Sequence, residues 1–407
     1  MTNPTKTLLI LETRMTGHRP SYLRRVTHIA LGNLMHVIIA MPRACFEHPV
    51  AKQLLELANT KAIYCDQHVN VSKASNFVGA LRREFQCRAF YKEALNKSRR
   101  DTSINLVVIP TFDDAAIISG LRRPYFGDIP WLGIVMKQKF HFSAVGAIGP
   151  PASTQQSIKH KLFIRLLQSL DPHEMILTID ESLRNHIASA HPALDSRIAY
   201  IPDPVEERGS LTNPGLREES GIPKEAFVIL AYGSLRVKKG VPQLLEALHQ
   251  LPDTVHALLV GTQAPEIKDC VNSDQHKPLH DAGRVHQIDR YIDVSEDPNF
   301  FTPADAVWLA YENYYAMSAV MVQAAQYERC TIATQTGLIG YLSTKYQTGL
   351  VVDNRDRKAL HDAVITLINN GFSPQQRHYK QFATDFSLKA FESALLNSIN
   401  RVCAASS

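Results

Sequence analysis

The chain of 407 residues is too long for one ordinary hydrophobic core and fits two domains of roughly 200 residues each. Its composition, 45% hydrophobic and 20% charged, is that of an ordinary globular protein. No run approaches the ~18 uncharged apolar residues that span a bilayer. The apolar run before Glu12 is too short for a signal peptide. We therefore expect a cytoplasmic protein, and the six scattered cysteines, without CxxC pairs, argue against disulfides or a zinc site.

Charge is distributed unevenly between the two halves. Residues 1–205 contain 25 Lys+Arg and 16 Asp+Glu, whereas residues 206–407 contain 19 and 23. An excess of this size suggests that the first half meets something anionic, such as a membrane surface or a lipid phosphate, at the inner face of the membrane. The alternative is a solvated basic surface without a partner. Nucleic-acid binding is poorly supported, because the basic residues form no recognisable module.

Both halves alternate short apolar runs with helical stretches, which predicts parallel sheets buried on both faces. The strands predicted in the first half are TLLILE, MHVIIAMP, KAIYC, INLVVIP, WLGIVMK and EMILTID. Those predicted in the second half are FVILAYG, HALLVG, RVHQI, AVWLAY, CTIAT and GLVVD.

A stretch rich in Pro, Gly and charge begins at Arg197, and we place a linker around residues 204–222. The predicted domains are residues 1–204 and 205–386. The apolar spacing from Ser387 to Val402 predicts a last helix within residues 387–407, which we expect to pack on the first domain. Two doubly wound domains leave a cleft at the carboxyl ends of their strands, where ligands of such sheets bind.

The stretch from Ala304 to Asp356 is the most informative segment. It contains a strand end, a helix beginning near Ser318, the strand RCTIAT, a Gly-containing turn QTGLIG, and YQTGLVVDNRD. Backbone N–H groups at a helix start, with a nearby turn of small residues, are what holds a diphosphate. The order therefore predicts a nucleotide-sugar site and glycosyl transfer.

The second half resembles the bacterial family 4 glycosyltransferases, retaining enzymes with two Rossmann-like domains, the GT-B architecture. The matching pieces occur in the family's order: RIAYIPDPV, AYGSLRVKKGVPQLLEAL, ALLVG, ADAVWLAYE, QAAQYERCTIATQTGLIG, TGLVVDNRD and DFS. The first half resembles the family more loosely, through GHRPSYLRRV and LGIVMKQKFHFS. The resemblance implies a donor-binding second domain, an acceptor-binding first domain, and a subgroup that builds polysaccharides.

The resemblance assigns the donor diphosphate to the loop GSLRVKKG. Lys239 takes the family's diphosphate lysine position, and Gly233 is the first glycine of the loop. Ser234 stands where the family has arginine, a role that Arg236 could take. Cations here would stabilise the charge that a pyrophosphate leaving group gains. The alternative is a basic turn at a sheet edge.

The family's two glutamates, eight residues apart, are missing. Tyr315 stands at the first position and Gln323 at the second, where its amide could still hold the donor ribose. Ser318 and Ala319 take the small-residue positions that open the following helix, although simple N-capping by Ser318 is the alternative. The remaining donor contacts that the resemblance implies are the Thr336–Gly337 turn beside the sugar, Gly261, and the main chain near the base, including Ile288.

In the first half, GHRPSYL leads from a loop into a helix, which would place Gly17, His18 and Arg19 at the cleft for an acceptor hydroxyl or a phosphate. Asp113 and Asp114 follow INLVVIP and could bind acceptor hydroxyls or merely cap the next helix. Lys137 follows WLGIVM at the same cleft end and is a further acceptor candidate. His141 is a candidate for the family's sugar-contacting histidine, but it lies five residues late.

We therefore expect transfer of a UDP- or GDP-linked sugar to a glycan, lipid-linked or other hydroxyl acceptor, catalysed by His18, Arg236, Lys239 and His141. No cofactor or metal is demanded, because Lys239 and Arg236 can neutralise the diphosphate. The alternatives are an inverting transferase or epimerase, with His18, Asp113 or Asp114 as base, and an inert nucleotide-binding scaffold. Neither half has GxGxxG after its first strand, which argues against a dinucleotide-dependent oxidoreductase.

Overall fold

The computed structural model describes residues 6–69, 77–119, 126–207, 209–370 and 378–406. The chain forms two compact units. One contains Met1–His141, Pro151–Ile201 and Glu392–Ser407, and the other contains Phe142–Pro150 and Pro202–Phe391.

The described part of the first unit is built on a seven-stranded sheet in which every neighbouring pair is parallel. All six runs predicted in this half form strands, because their Leu, Ile and Val side chains are buried. The order across the sheet is β3-β2-β1-β4-β5-β6-β7. The strands are β1 Lys6–Leu11, β2 Met35–Pro42, β3 Thr60–Cys65, β4 Leu106–Ile109, β5 Trp131–Val135, β6 Glu174–Thr178 and β7 Ile198–Tyr200.

Helices follow most of these strands and cover the sheet. They are α1 Arg19–Gly32, α2 Pro49–Leu55, α3 Phe77–Ser98, α4 Ala116–Ser119, α5 Thr154–Ser169 and α6 Glu181–Ala190. The short strand β7 was not predicted, because it lies in the stretch that leads into the Pro-rich segment.

The second unit has a six-stranded parallel sheet in the order β10-β9-β8-β11-β12-β13 among its described residues. The strands are β8 Phe227–Tyr232, β9 Val255–Val260, β10 Val285–Ile288, β11 Ala306–Leu309, β12 Cys330–Thr334 and β13 Gly349–Val352, which confirms the six predicted runs. The helices are α7 Leu216–Glu219, α8 Val241–Leu248, α9 Pro265–Val271, α10 Lys277–Asp281, α11 Asp297–Phe301, α12 Ala319–Gln326, α13 Gly337–Tyr346, α14 Arg357–Asn370 and α15 Tyr379–Asp385.

The predicted linker region is partly structured. It contains α7, whose Arg217 donates hydrogen bonds to the Pro303 carbonyl at 2.6 Å and to the Asp305 carboxylate at 2.7 Å. These bonds tie the segment to the residues just before β11, so this part of the predicted linker belongs to the second unit.

The last helix, α16, runs from Leu388 to Ala404. Phe391, Leu395, Ile399 and Val402 are buried along one face of it, at the predicted helical spacing. From Glu392 onward the helix is part of the first unit.

Strand order reverses once in each sheet, between β1 and β4 in the first unit and between β8 and β11 in the second. In open parallel sheets, ligands bind beside the carboxyl ends of strands at such a reversal. The segments that follow these four strands are therefore where a site is expected in each unit.

Candidate active site

The loop after β8 carries positive charge at the strand reversal of the second sheet. It runs from Gly233 through the short 3-10 helix Val237–Lys239. Arg236 and Lys238 are exposed, and Lys239 is half-buried. Among the described residues, no carboxylate forms an ion pair with any of these three cations. The loop therefore presents uncompensated positive charge, which suits an anionic ligand.

Lys239 is held by aromatic residues from β11 and the segment after it. Its Nζ donates a 2.7 Å hydrogen bond to the Tyr311 hydroxyl and lies 4.1 Å from the centre of that ring. The Trp308 indole N–H donates to the Lys239 carbonyl at 3.1 Å. Burial lowers the pKa of Lys239 to about 8, because its partners are neutral and do not repay the lost hydration. The ammonium is positioned but not neutralised.

The start of α12 lies next to this lysine through Tyr311. Ser318 is the residue before the helix and is buried, and Ala319 is the exposed first residue. The Ser318 side chain makes no capping hydrogen bond. Its Oγ lies 3.4 Å from the Tyr311 hydroxyl instead. The first backbone N–H groups of α12 are thus not capped by this serine, so the N-capping alternative for its side chain is wrong.

Gly337 does not lie in a turn, as the sequence suggested, but begins helix α13, with Thr336 before it. Its φ is +60°, and a Cβ would lie 2.3 Å from the Tyr315 Cα, so only glycine fits. The Leu338 N–H donates to the Tyr315 carbonyl at 3.1 Å. The helix start and the tyrosine segment are therefore locked together through their backbones.

Gln323 is bonded to a carboxylate that the sequence did not single out. Its amide Nε2 donates to Asp297, which also accepts a hydrogen bond from the Tyr232 hydroxyl at the end of β8. Asp297 is buried, and burial raises the pKa of its carboxyl group. Since Gln323 uses its NH₂ group on Asp297, its carbonyl oxygen remains as an acceptor for a ligand hydroxyl. An Asp-Pro pair at a helix start was the available sequence signal.

Two predicted donor residues join the ends of β8, β9 and β10. Gly261 has φ +118°, and a Cβ there would lie 2.0 Å from the Gly233 carbonyl oxygen. The Gly261 N–H donates to the Ile288 carbonyl at 2.9 Å. Ser234, one residue further along the β8 loop, is exposed. Close backbone approach therefore fixes this edge, and the second unit brings the predicted donor residues to one edge of the sheet.

In the first unit, His18 precedes α1 and follows Gly17, which has φ +66°. Desolvation by the surrounding residues, with the charges of Lys137 and Arg19, lowers the pKa of His18 to about 4. The imidazole is therefore neutral at neutral pH. A neutral ring suits a hydroxyl group better than a phosphate.

Arg19 is not available to a ligand in the way the sequence suggested. It is 4% exposed, and its guanidinium bonds to the buried Glu12 carboxylate and, at 2.5 Å, to Asp114. Arg14 also pairs with Asp114. Both predicted acceptor residues, Arg19 and Asp114, therefore belong to a buried ionic network after β1 and β4. Its role is to hold these segments, because buried charges need partners.

Asp113 and Lys137 line a small cavity of about 190 Å³ at the ends of β4 and β5. Asp113 accepts hydrogen bonds from the backbone N–H groups of Met136 at 3.0 Å and Lys137 at 3.0 Å. Its carboxylate thus fastens one strand end to the next, while the Lys137 side chain is exposed. The other lining residues are Arg83, Glu84, Asp114, Gln138 and Lys159.

The predicted place of His141 has to be corrected. Its side chain is 0% exposed, and its Nε2 lies 2.9 Å from both the Asp180 carboxylate and the Ser182 hydroxyl. Asp180 caps α6, so the imidazole fastens the segment after β5 to the start of that helix. A ring in this position does not reach a sugar.

Residues 213–386 match the protein-family model described as Glycosyl transferases group 1. The chain is a glycosyltransferase. No curated protein matches its sequence.

Solved structures show which fold the glycosyltransferase has. Sucrose-phosphate synthase from Thermosynechococcus elongatus superposes with a TM-score of 0.70 at 15% identity, over 98% of this chain and 100% of that chain. HepE from Anabaena in complex with UDP gives 0.65 at 15%, over 97% and 100%. WaaG, a glycosyltransferase involved in lipopolysaccharide biosynthesis, gives 0.60 at 14%, over 97% and 99%. The predicted GT-B fold is confirmed.

The basic helix α3 of the glycosyltransferase packs two of its described aromatic side chains inward. Phe90 and Tyr91 are buried in the core of the first unit, whereas Phe85 is 60% exposed. Phe90 and Tyr91 therefore belong to the buried face of an ordinary amphipathic helix. Of the helices described, none has the length and apolar character needed to cross a bilayer.

One cluster of possible metal ligands occurs among the described residues of the glycosyltransferase. Asp171, His173 and Glu174 each offer a ligand atom within 4.8 Å of the others. The Glu174 carboxylate already accepts a hydrogen bond from the Asp171 N–H at 2.8 Å. This bond closes the turn that leads into β6 and explains why the three residues lie together. The cluster lies at the amino end of β6 and thus away from the carboxyl ends of the strands.

Proposed function

We propose that this glycosyltransferase moves a sugar from a UDP- or GDP-linked donor, bound by the second unit, to a hydroxyl acceptor bound by the first. The observation that carries the proposal is the group of three cations, Arg236, Lys238 and Lys239, at the strand reversal of the second sheet, none of which pairs with a described carboxylate. Complexes of HepE with UDP and with UDP-glucose, which share the fold, support a nucleotide-sugar donor.

In this proposal the diphosphate binds between the β8 loop and the start of α12. Negative charge grows on the leaving phosphate as the glycosidic bond breaks, and a preformed cation stabilises it without reorganisation. Lys239 is held in place by neutral groups, so its charge is available to the phosphate. We propose that these cations do the neutralising work and that no metal ion is required.

We propose retention of the anomeric configuration, with the departing phosphate assisting deprotonation of the acceptor. An inverting enzyme needs a general base that is both free and basic enough to take the acceptor's proton. His18 has its pKa lowered to about 4, Asp113 binds two backbone N–H groups, and Asp114 pairs with Arg14 and Arg19. The state of these three groups supports retention over inversion.

The acceptor that we propose is a hydroxyl of a glycan or of a lipid-linked sugar, near His18 and Lys137. The exposed Phe85 on the basic helix α3 supports a peripheral contact of the first unit with anionic membrane. Flotation with vesicles containing 30% phosphatidylserine, roughly the anionic content that draws basic proteins, tests the contact against Phe85→Ser.

The test of the function is a donor and acceptor screen with purified protein. Thermal shift with UDP, GDP, dTDP and CMP identifies the nucleotide, and release of that nucleotide from its sugar donor measures turnover. Activity that survives chelation with EDTA would support metal independence, and NMR of the product gives the anomeric configuration. Nucleotide binding without turnover on any acceptor would instead support an inert scaffold. That alternative is motivated by Tyr315 and Gln323, which stand where the family has its two glutamates.

A further inference from the structure

A groove of about 590 Å³ lies beside the cationic loop of the second unit. One wall is the β8 loop with Arg236 and Lys238, and the other is the segment that follows β9. The lining residues that bear on its chemistry are Arg236, Lys238, Gln263 and Glu266. This volume is in the range of small-molecule sites. Its positive charge lies on the β8 wall, and Glu266 lies on the wall after β9.

The segment after β9 is rigidly held at Gln263. The Leu235 N–H donates to the Thr262 carbonyl at 2.9 Å, and the Ala264 N–H donates to the Leu235 carbonyl at 2.9 Å. The Gln263 N–H itself donates to the Asp289 carboxylate at 2.9 Å. The backbone at Gln263 is therefore fixed on both sides of the residue.

Gln263 is only 4% exposed, and yet both polar atoms of its side chain lack a partner in the part of the chain that the structure describes. Neither Nε2 nor Oε1 makes a hydrogen bond to any described residue. Buried amide groups are nearly always paired, because an unpaired one loses its water without compensation. A carboxamide that has both ends unpaired, on the wall of a groove, indicates a ligand that supplies an acceptor and a donor side by side.

We propose that Gln263 recognises the nucleobase of the donor through this pair of hydrogen bonds. The inference rests on the proposed function and adds the residue that reads the base. Uracil and guanine both carry a ring N–H beside a carbonyl, which matches the oxygen and the NH₂ group of the amide. Arg236 and Lys238 on the opposite wall belong to the β8 loop that we propose to bind the diphosphate, so one nucleotide can reach from this groove to that loop.

The test measures the affinity of UDP, GDP and inorganic pyrophosphate by calorimetry on the full chain. Gln263→Met keeps the length of the side chain and removes both polar atoms. We expect it to weaken the nucleotide that the parent protein binds at least tenfold, while pyrophosphate changes less than twofold. Gln263→Glu supplies acceptors only, so it should lose UDP but keep GDP, whose N1–H and amino group can both donate. Gln250→Met, at an exposed position in the same unit, is the matched control.

Retained pyrophosphate binding shows that the variants are folded and that the cationic wall is intact. Equal nucleotide affinity in Gln263→Met and the parent would overturn the inference and leave the proposed function standing. An equal loss of nucleotide and pyrophosphate would overturn it as well, since the effect would then not be on the base. If the parent binds none of the three ligands, the proposed function falls and the inference falls with it.

Discussion

Replacing Lys239 by methionine separates ligand binding from stability, because no described partner of the ammonium carries a charge. Methionine keeps most of the aliphatic stem and removes the charge and its bond to Tyr311. At about 4 Å and an effective dielectric constant of about 20, a phosphate and a lysine attract by about 4 kcal/mol. Since about 1.4 kcal/mol is a factor of ten, we expect roughly 10²- to 10³-fold weaker nucleotide binding and a comparable loss of kcat/KM.

The same change should make the folded protein more stable. Burial lowers the pKa of Lys239 to about 8 from its usual 10.5, so folding disfavours the charged form at neutral pH. The variant also loses the hydrogen bond from the ammonium to Tyr311, and this loss reduces the gain in stability. We expect an increase of about 1–2 kcal/mol in the free energy of unfolding at pH 7.

The pH dependence follows from the same shift. Between pH 8 and 10.5 the unfolded chain binds the lysine proton and the folded chain does not, so this group adds stability as pH rises through that window. Nucleotide affinity moves the other way, because the free protein loses the charge above about pH 8. Lys239→Met should show neither contribution, and Lys239→Arg should keep its affinity at high pH.

The assay is urea denaturation and nucleotide calorimetry at pH 7.0 and at a pH of about 9.5, chosen to lie above the pKa of Lys239 and below that of arginine. Lys224→Met, at an exposed lysine of the same unit, is the control. A Lys239→Met protein that is less stable than the parent and binds nucleotide equally well would refute the reasoning.

Three further outcomes test the structural argument. Gly261→Ala would place a Cβ 2.0 Å from a carbonyl oxygen and should cost more than about 3 kcal/mol of unfolding free energy. Gly283→Ala, the control, has φ +66° and free space around its Cβ, so it should cost about 1–2 kcal/mol. Equal costs in denaturant titrations would contradict this. Asp114→Asn removes the charge that pairs with two arginines and should cost about 3–5 kcal/mol, so a parent-like urea midpoint would refute the network. Burial lowers the pKa of His160 and His186, so the unfolded chain takes up protons before the folded chain does and Tm should fall as pH drops below 6.5. The fall should be smaller in the double variant His160→Phe, His186→Phe, and identical pH profiles of Tm would contradict this.

Local sequence was sufficient for the strands and for the chemistry of the loop after β8. Apolar runs of four to eight residues can be buried on both faces only in a covered parallel sheet, and all twelve predicted runs became strands. Strand β7 escaped because three residues carry too little pattern. Gly337 was assigned to a turn because a helix that begins with a glycine at positive φ has no strong local signature.

Side-chain environments were not predictable in the same way. His141, Arg19 and Asp114 follow strands as candidate site residues do, but each is bonded inside the first unit. Asp297 and Gln263 have no sequence pattern that marks them. Asp297 matters because Gln323, 26 residues away, bonds to it, and Gln263 matters because its amide finds no partner among the described residues. Such facts depend on contacts between distant segments, which a single sequence does not display.

The sequence alone determined the α/β class, the two sheets and the cationic loop, because periodicity and residue type act over a few neighbouring residues. Only the tertiary structure decided which charges are neutralised. Arg19 follows β1, the first strand of its unit, and Lys239 follows β8, the first strand of the other. The fold places Arg19 against the carboxylates of Glu12 and Asp114, and it places Lys239 against the hydroxyl of Tyr311. Electrostatic energy depends on distance and burial, and both are set when separate elements pack together.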